Sequence, residues 1–267
     1  MIYLSKDNSI SINNFAENLF NAEQSRQGIT PLTEESPDLS VEDAYQIQLK
    51  NVQKKVSEGK RITGKKIGLT SLAMQESLGV DEPDYGHLLD EMIVENQGTI
   101  PFNRVMQPRV EAELAFVLKK DLVGPNVSTL DVLQATNYVV PALEIVDSRV
   151  KDWKIKLPDT IADNASSVLY VLGDKPFAVS EYNLKQTGMV LHKNGKICNT
   201  GVGAAALGDP AYCVAWLANK LTEFNISLKA GEVILSGALS AAVSAEVGDF
   251  FQARFANMGE VSVRFTS

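Results

Sequence analysis

Apolar residues recur at helical spacing over the first sixty positions and at alternating spacing after them. Ile12, Phe15, Ala16, Leu19 and Phe20 fall on one stripe, which predicts a helix with Ser11 as its cap. Gly28 to Pro37 reads as a loop with two prolines. Ser40 opens a second predicted helix, with Asp43 at the capping-box position. Its apolar face is Tyr45, Leu49, Val52 and Val56, and Gly59 is its stop. Both helices are expected to serve packing or an oligomer contact.

From residue 61 the pattern becomes that of strands. RITGKKIGLT predicts a strand running into a loop. A short helix, Ser71 to Leu78, ends at Gly79. DEPDYGHLLD reads as a polar loop. RVEAELAFVL alternates strictly, and after a helix near 129–137 VVPALEIVD is another strand. MVLHKNGKICN predicts a hairpin turning at Asn194-Gly195, followed by a helix capped by Asp209 with Pro210 at its first position. GEVILSGAL, DFFQARF and EVSVRF are short strands between turns. The expected class is α+β: a helical N-terminal region, 1–60, and one strand-rich domain, 61–267.

Composition narrows the partners. The 267 residues carry a net charge of -8, with 45% hydrophobic and 22% charged residues and a mean hydropathy of -0.05. An acidic chain does not neutralise phosphates in bulk, so nucleic acid is not an expected partner. The start, MIYLSKDNSISINNF, lacks the cationic and apolar regions of a signal peptide, and no apolar run of about 18 residues predicts a membrane span. Two cysteines, Cys198 and Cys213, make no disulfide framework, which suits a reducing cytoplasm.

The candidate chemistry lies in the alternating strand. Glu111 and Glu113 share one face, roughly 7 Å apart along the chain, and Ala115 and Val117 continue that face. Two acids on a half-apolar face resist desolvation unless a cation joins them, and Mg²⁺ or Mn²⁺ prefers oxygen ligands. Glu144 stands alone in another apolar strand, where a lone glutamate calls for a partner. The competing reading puts Glu111 and Glu113 on a solvated edge, with Glu144 paired to Arg109 or Arg149.

Other residues are open to two readings. Lys65 and Lys66, in GKKIGLTS, include a candidate acid or base, since a lysine among apolar residues can have a lowered pKa. Equally, one could face solvent and the other a carboxylate. Asp84 and Tyr85 sit in EPDYG, where acids are commonly turn formers. DTIADNASS suits a loop offering donors to a substrate carboxylate, or an ordinary turn. GVGAAALGDP matches no phosphate-binding fingerprint. His87, next to EPDYG, could line a site, but the expectation is against it; His192 adjoins the hairpin turn and should lie near the surface.

Taken together and in order, GKKIGLTS, EPDYGHL, QPRVEAELAFVL, PALEIVDSR, DTIADNASS and TGVGAAALGDP resemble the 2-oxopent-4-enoate (2-hydroxypenta-2,4-dienoate) hydratases. These form part of the hydratase/decarboxylase branch of the fumarylacetoacetate hydrolase superfamily. The resemblance runs from about residue 12 to the C-terminus. It implies a fumarylacetoacetate-hydrolase-like mixed β-roll with a helical N-terminal region. It implies metal ligands at Glu111, Glu113 and Glu144, catalytic roles for Lys66 and Asp84, and substrate binding at Ser166, with Asn164 of the same loop as a further candidate. The implied reaction is Mg²⁺- or Mn²⁺-dependent hydration of a small dienoic acid in aromatic meta-cleavage catabolism. Alternatives are the sister decarboxylation of 2-oxohex-3-enedioate, hydration of a longer 2-oxo-enedioate, and a non-catalytic scaffold. The resemblance also implies a homo-oligomer and association with a sister decarboxylase.

Overall fold

The structure is a computed structural model that describes residues 6–267, with side chains from residue 11 onward except those of Ser77 and Leu78. Three helices come first: α1 (Lys6–Ser25), α2 (Leu32–Glu35) and α3 (Val41–Ser57). Next are β1 (Ile62–Gly68), α4 (Leu72–Leu78), β2 (Asp84–Leu89), β3 (Ile93–Val94), β4 (Gly98–Pro101) and β5 (Arg109–Leu118). They are followed by α5 (Thr129–Ala135), β6 (Thr136–Val146), α6 (Leu157–Ala162), β7 (Ser167–Leu172), β8 (Gly188–Lys193) and β9 (Lys196–Val202). The chain continues with α7 (Pro210–Leu221), β10 (Val233–Leu235), β11 (Val243–Ser244), β12 (Phe250–Phe255) and β13 (Gly259–Thr266).

Two mixed sheets form the body. The larger runs β2-β1-β10-β5-β6-β7-β3, with β11 also on β5; the smaller runs β4-β13-β12-β8-β9. Ala112, Leu114, Phe116, Val139, Leu143 and Ile145 of the larger sheet share one core with Phe251, Ala253, Val261, Val263 and Phe265 of the smaller. Facing sheets with a helical N-terminal region make the expected α+β roll.

Several local expectations hold for the reasons given. Ser40 accepts from Asp43 N at 3.0 Å, and the Asp209 side chain caps α7 through Ala211 N at 3.0 Å. Asn194 and Gly195 both take left-handed φ, 53° and 77°, as a two-residue hairpin requires. No helix among the described residues is long and apolar enough to cross a membrane.

Others need correction. Ser11 is not a cap, because α1 already runs from Lys6 and its backbone bonds win over a local side-chain cap. Along α3 the buried residues are Ala44, Tyr45, Ile47, Gln48 and Val52, whereas Leu49 is half-buried and Val56 is exposed. The face is turned because α3 packs between α1 and α6. The polar-looking DYGHLL is strand β2, paired with β1 and wholly buried. Part of DTIADNASS is helix α6, so only Asp163 onward is loop.

Candidate metal centre

The alternation of β5 sends Val110, Ala112, Leu114 and Phe116 into the core and Glu111 and Glu113 to the opposite face. In the antiparallel ladder Glu111 lies opposite Glu144 and Glu113 opposite Ala142. One carboxylate oxygen from each of Glu111, Glu113 and Glu144 lies within 4.8 Å of the other two. Glu113 and Glu144 are fully buried and Glu111 half-buried. Burial pushes the Glu111 carboxyl up to about 7, aided by the charge of Glu144. Burial also raises Glu113 and Glu144, and for Glu113 the charges of Glu144 and Glu111 add to it.

One Glu113 oxygen accepts from Gly237 N at 2.8 Å. Gly237 has φ +99°, and a Cβ there would run into Thr70, so this donor requires glycine. The other Glu113 oxygen and both oxygens of Glu144 are buried without a hydrogen-bond partner. Buried carboxylate oxygens left in that state are costly. An all-oxygen cluster of this kind fits a hard divalent cation such as Mg²⁺ or Mn²⁺. The competing sequence reading fails on two counts. Strand β5 lies inside the sheet between β10 and β6. Arg149 pairs with Asp163, and the cation near Glu144 is Lys66.

Lys66 is 2% exposed. Its Nζ lies 3.0 Å from Ala165 O, 3.5 Å from Asp84 Oδ1 and 3.6 Å from Glu144 Oε2. The expectation of a lowered pKa holds at Lys65, where burial outweighs the charge of Glu232, and is reversed at Lys66. Burial does act to lower it, but Asp84, Glu144, Glu111 and Glu113 together outweigh burial and hold the ammonium above the ordinary lysine range. Lys65 points the other way and is also buried, with Nζ 2.6 and 2.8 Å from the two Glu232 oxygens. Neither lysine faces solvent. Gly68 leaves the space that Lys66 and Asp84 occupy: a Cβ there would meet Asp84 Oδ1 and, at 2.6 Å, Lys66 Nζ.

The loop after α6 closes the site. Asn164, Ala165 and Ser166 all have left-handed φ, at 54°, 50° and 55°. Such residues cost about 1–3 kcal/mol each and persist only where neighbours over-determine them. Asp163 is clamped by Arg149, which donates from N at 2.9 Å and from Nε at 2.5 Å. Burial raises Asp163 to about 6 despite that guanidinium. The Asn164 amide makes two bonds to the main chain of His87, accepting from its N–H at 2.8 Å and donating to its carbonyl at 2.9 Å. Asn164 therefore shapes the loop with its side chain. Ser166 is buried, its Oγ 3.5 Å from Thr160 Oγ1, and Thr160 donates to Asp84 Oδ2 at 2.9 Å. His87 lies behind this loop; burial holds its imidazole neutral, down to about 3.

The structure thus gathers Glu111, Glu113, Glu144, Lys66 and Asp84, with Ser166 adjoining Asp84 through Thr160. Three contributors were missed from sequence: Thr160, Gly237 and Gln48. Gln48 left a signal, being a polar residue within the apolar stripe of Tyr45 and Val52. The others left none. At the rim, Arg109 shares the strand face of Glu111 and stacks its guanidinium over Trp153, 4.2 Å from the ring centroid.

The chain is similar to known proteins over most of its length. Residues 65–266 match the family model described as fumarylacetoacetate (FAA) hydrolase C-terminal. The chain is 48% identical over 252 residues, 94% of each chain, to a 2-keto-4-pentenoate hydratase of Paraburkholderia xenovorans (strain LB400). It is 50% identical over 217 residues, 81% of this chain and 98% of the relative, to a 2-hydroxypent-2,4-dienoate hydratase of Pseudomonas putida. Among solved structures, 4-oxalocrotonate decarboxylase from Pseudomonas putida G7, complexed with magnesium and adipate, superposes with a TM-score of 0.94 at 36% identity, covering 99% of this chain and 100% of that one. With the family model spanning most of its length and these relatives sharing close to half its residues, the chain belongs to the fumarylacetoacetate hydrolase family.

Proposed function

We propose that this protein is a hydro-lyase that hydrates 2-hydroxypenta-2,4-dienoate (2-oxopent-4-enoate) to 4-hydroxy-2-oxopentanoate in aromatic meta-cleavage catabolism. The observation that carries the reading is the cluster of Glu111, Glu113 and Glu144 with Lys66 and Asp84 beside it, in a chain whose relatives near half identity are named as hydratases of this substrate class.

Glu111, Glu113 and Glu144 would hold the metal. Bound there, Mg²⁺ or Mn²⁺ would supply Lewis acidity and positive charge to the acidic substrate. The chain's own residues then manage protons. The substrate loses its C2 hydroxyl proton and gains one at C5, giving the 2-oxo-3-enoate. Water then adds its oxygen to C4, and C3 takes a proton. Lys66 moves a proton near the C2 oxygen. Asp84, oriented by Thr160 and Lys66, positions and deprotonates water. The 163–166 loop, with Ser166, holds the carboxylate or the distal end of the substrate. Asn164 serves this binding by fixing the loop on His87.

A second reading has one observation in its favour. Among the described residues Arg109 has no carboxylate within salt-bridge distance, although the charge of Glu111 acts on it, and its guanidinium stacks over Trp153 on the face of Glu111. A free guanidinium there suits a second carboxylate, as in a 2-oxo-enedioate. The domains we assign are the helical region 1–60 and the catalytic unit 61–267, acting as a homo-oligomer able to associate with a sister decarboxylase. We place the protein in the cytoplasm, where the unpaired Cys198 and Cys213 stay reduced.

The test is Glu113→Gln, assayed with Mg²⁺ titration, loss of dienoate absorbance and CO₂ release. The variant should lose turnover by at least about 10²-fold. Wild-type turnover by the variant without added metal would sink the scheme. CO₂ release by the wild-type protein would replace hydration by decarboxylation, and faster turnover of the enedioate would favour the second reading.

A further inference from the structure

We propose that Gln48, on α3 in the N-terminal helical region, is a positioning residue for the Lys66–Asp84 pair. The proposal rests on the functional reading above, in which that pair handles protons.

Gln48 is 1% exposed. Its Nε2 donates to two main-chain carbonyls, Tyr85 O at 2.9 Å and Ile161 O at 2.6 Å. Its Oε1 lies 2.9 Å from His87 Nδ1. With both amide hydrogens given to carbonyls, the oxygen must accept, so His87 donates from Nδ1. Every polar atom of the amide is engaged. Glutamate could not donate to the carbonyls, and an apolar side chain would leave three buried groups stranded.

The two clipped carbonyls belong to the elements that set the pair. Tyr85 follows Asp84 on β2. Ile161 follows Thr160 on α6, whose hydroxyl donates to Asp84 Oδ2. Beyond Ile161 the chain enters the left-handed loop that turns Ala165 O onto Lys66 Nζ. One side chain therefore ties β2 to α6 at the point where Asp84 meets Thr160. Through His87 it also reaches the residue whose main chain Asn164 grips. The spacing between Asp84 and Lys66 is thereby fixed from a helix that contributes no group to the reaction.

The experiment uses the full chain loaded with Mg²⁺ and compares Gln48→Met, Gln48→Glu, Thr160→Val, the Gln48→Met/Thr160→Val double variant and Asp84→Asn. Either Gln48 variant should lower kcat by about tenfold or more, with KM and Mg²⁺ affinity changed by less than about threefold. If Gln48 acts through Asp84, the double variant should be no worse than Thr160→Val alone, and the pH profile of kcat should shift in the same direction in both single variants. A role in packing alone would lower Tm and leave the kcat and pH profile of the folded protein unchanged. That result, or multiplying effects in the double variant, overturns the proposal. If Asp84→Asn turns over like wild type, the functional reading falls and the proposal with it. An inactive Asp84→Asn beside fully active Gln48 variants removes the proposal alone.

Discussion

Glu111 and Glu144 are direct cross-strand partners in the β5–β6 ladder, and each raises the cost of the other's charge. Like charges placed opposite one another destabilise a sheet unless something joins them. Metal binding and stability are therefore coupled at this pair. Glu144→Gln is expected to raise the Tm of the metal-free protein, by roughly 2–4 °C for each kcal/mol of repulsion relieved. The same variant should lose the Tm increase that saturating Mg²⁺ gives the wild-type protein. Thermal unfolding with and without Mg²⁺ measures both. A metal-free Tm that drops, with the Mg²⁺ response intact, would contradict the assignment of Glu144.

Lys66 balances more than one carboxylate, so its loss should be felt in chemistry before metal binding. For Lys66→Met, kcat is expected to fall about 10²–10⁴-fold, the range of a lost general acid–base group. Mg²⁺ affinity, read by calorimetry, should hold or rise, because a cation 3.6 Å from Glu144 has been removed. Weaker Mg²⁺ binding with kcat unchanged would count against Lys66 as a proton-transfer group.

His87 predicts a loss of stability in acid. Its folded value is down to about 3, against an ordinary 6.5. Between those values the unfolded chain takes up a proton that the folded chain refuses. Its contribution is therefore full above pH 6.5 and is lost as pH falls toward 3, at most about 1.4 kcal/mol per unit. His87→Leu should be less stable than wild type at pH 7.5, yet lose less of its stability between pH 7.5 and 5. Urea unfolding at the two pH values decides it, and parallel losses in the two proteins would exclude His87 as the source.

Alternation alone placed Glu111 and Glu113 on one face, because a strand's period of two leaves no other choice. It could not show that Glu144 faces Glu111, since register is set by pairing across the sheet. The ordered motifs supplied that link by resemblance. DYGHLL read as a loop because its polar atoms find partners far along the chain: Asp84 with Thr160, and His87 with Gln48 and Asn164. For the same reason the direction of the Lys66 shift was illegible. One lysine among apolar neighbours suggests a lowered pKa, and only the folded cluster of acids reverses it. Ser11 shows the local limit, where a good capping residue lies inside a helix that began earlier.

Strand β10, residues 233–235, lies between β1 and β5 in the larger sheet, parallel to one and antiparallel to the other. Lys66 on β1 and the glutamates of β5 are thus brought to their final spacing by a segment made long after both. During synthesis the nascent chain carries the acids and the lysine well before the strand that sets them apart has left the ribosome. Strand pairings of such sequence separation are slow to form, because loop-closure entropy opposes them. A chain halted before residue 233 would therefore carry the paired ligands of β5 and β6 without the strand that sets Lys66 beside them.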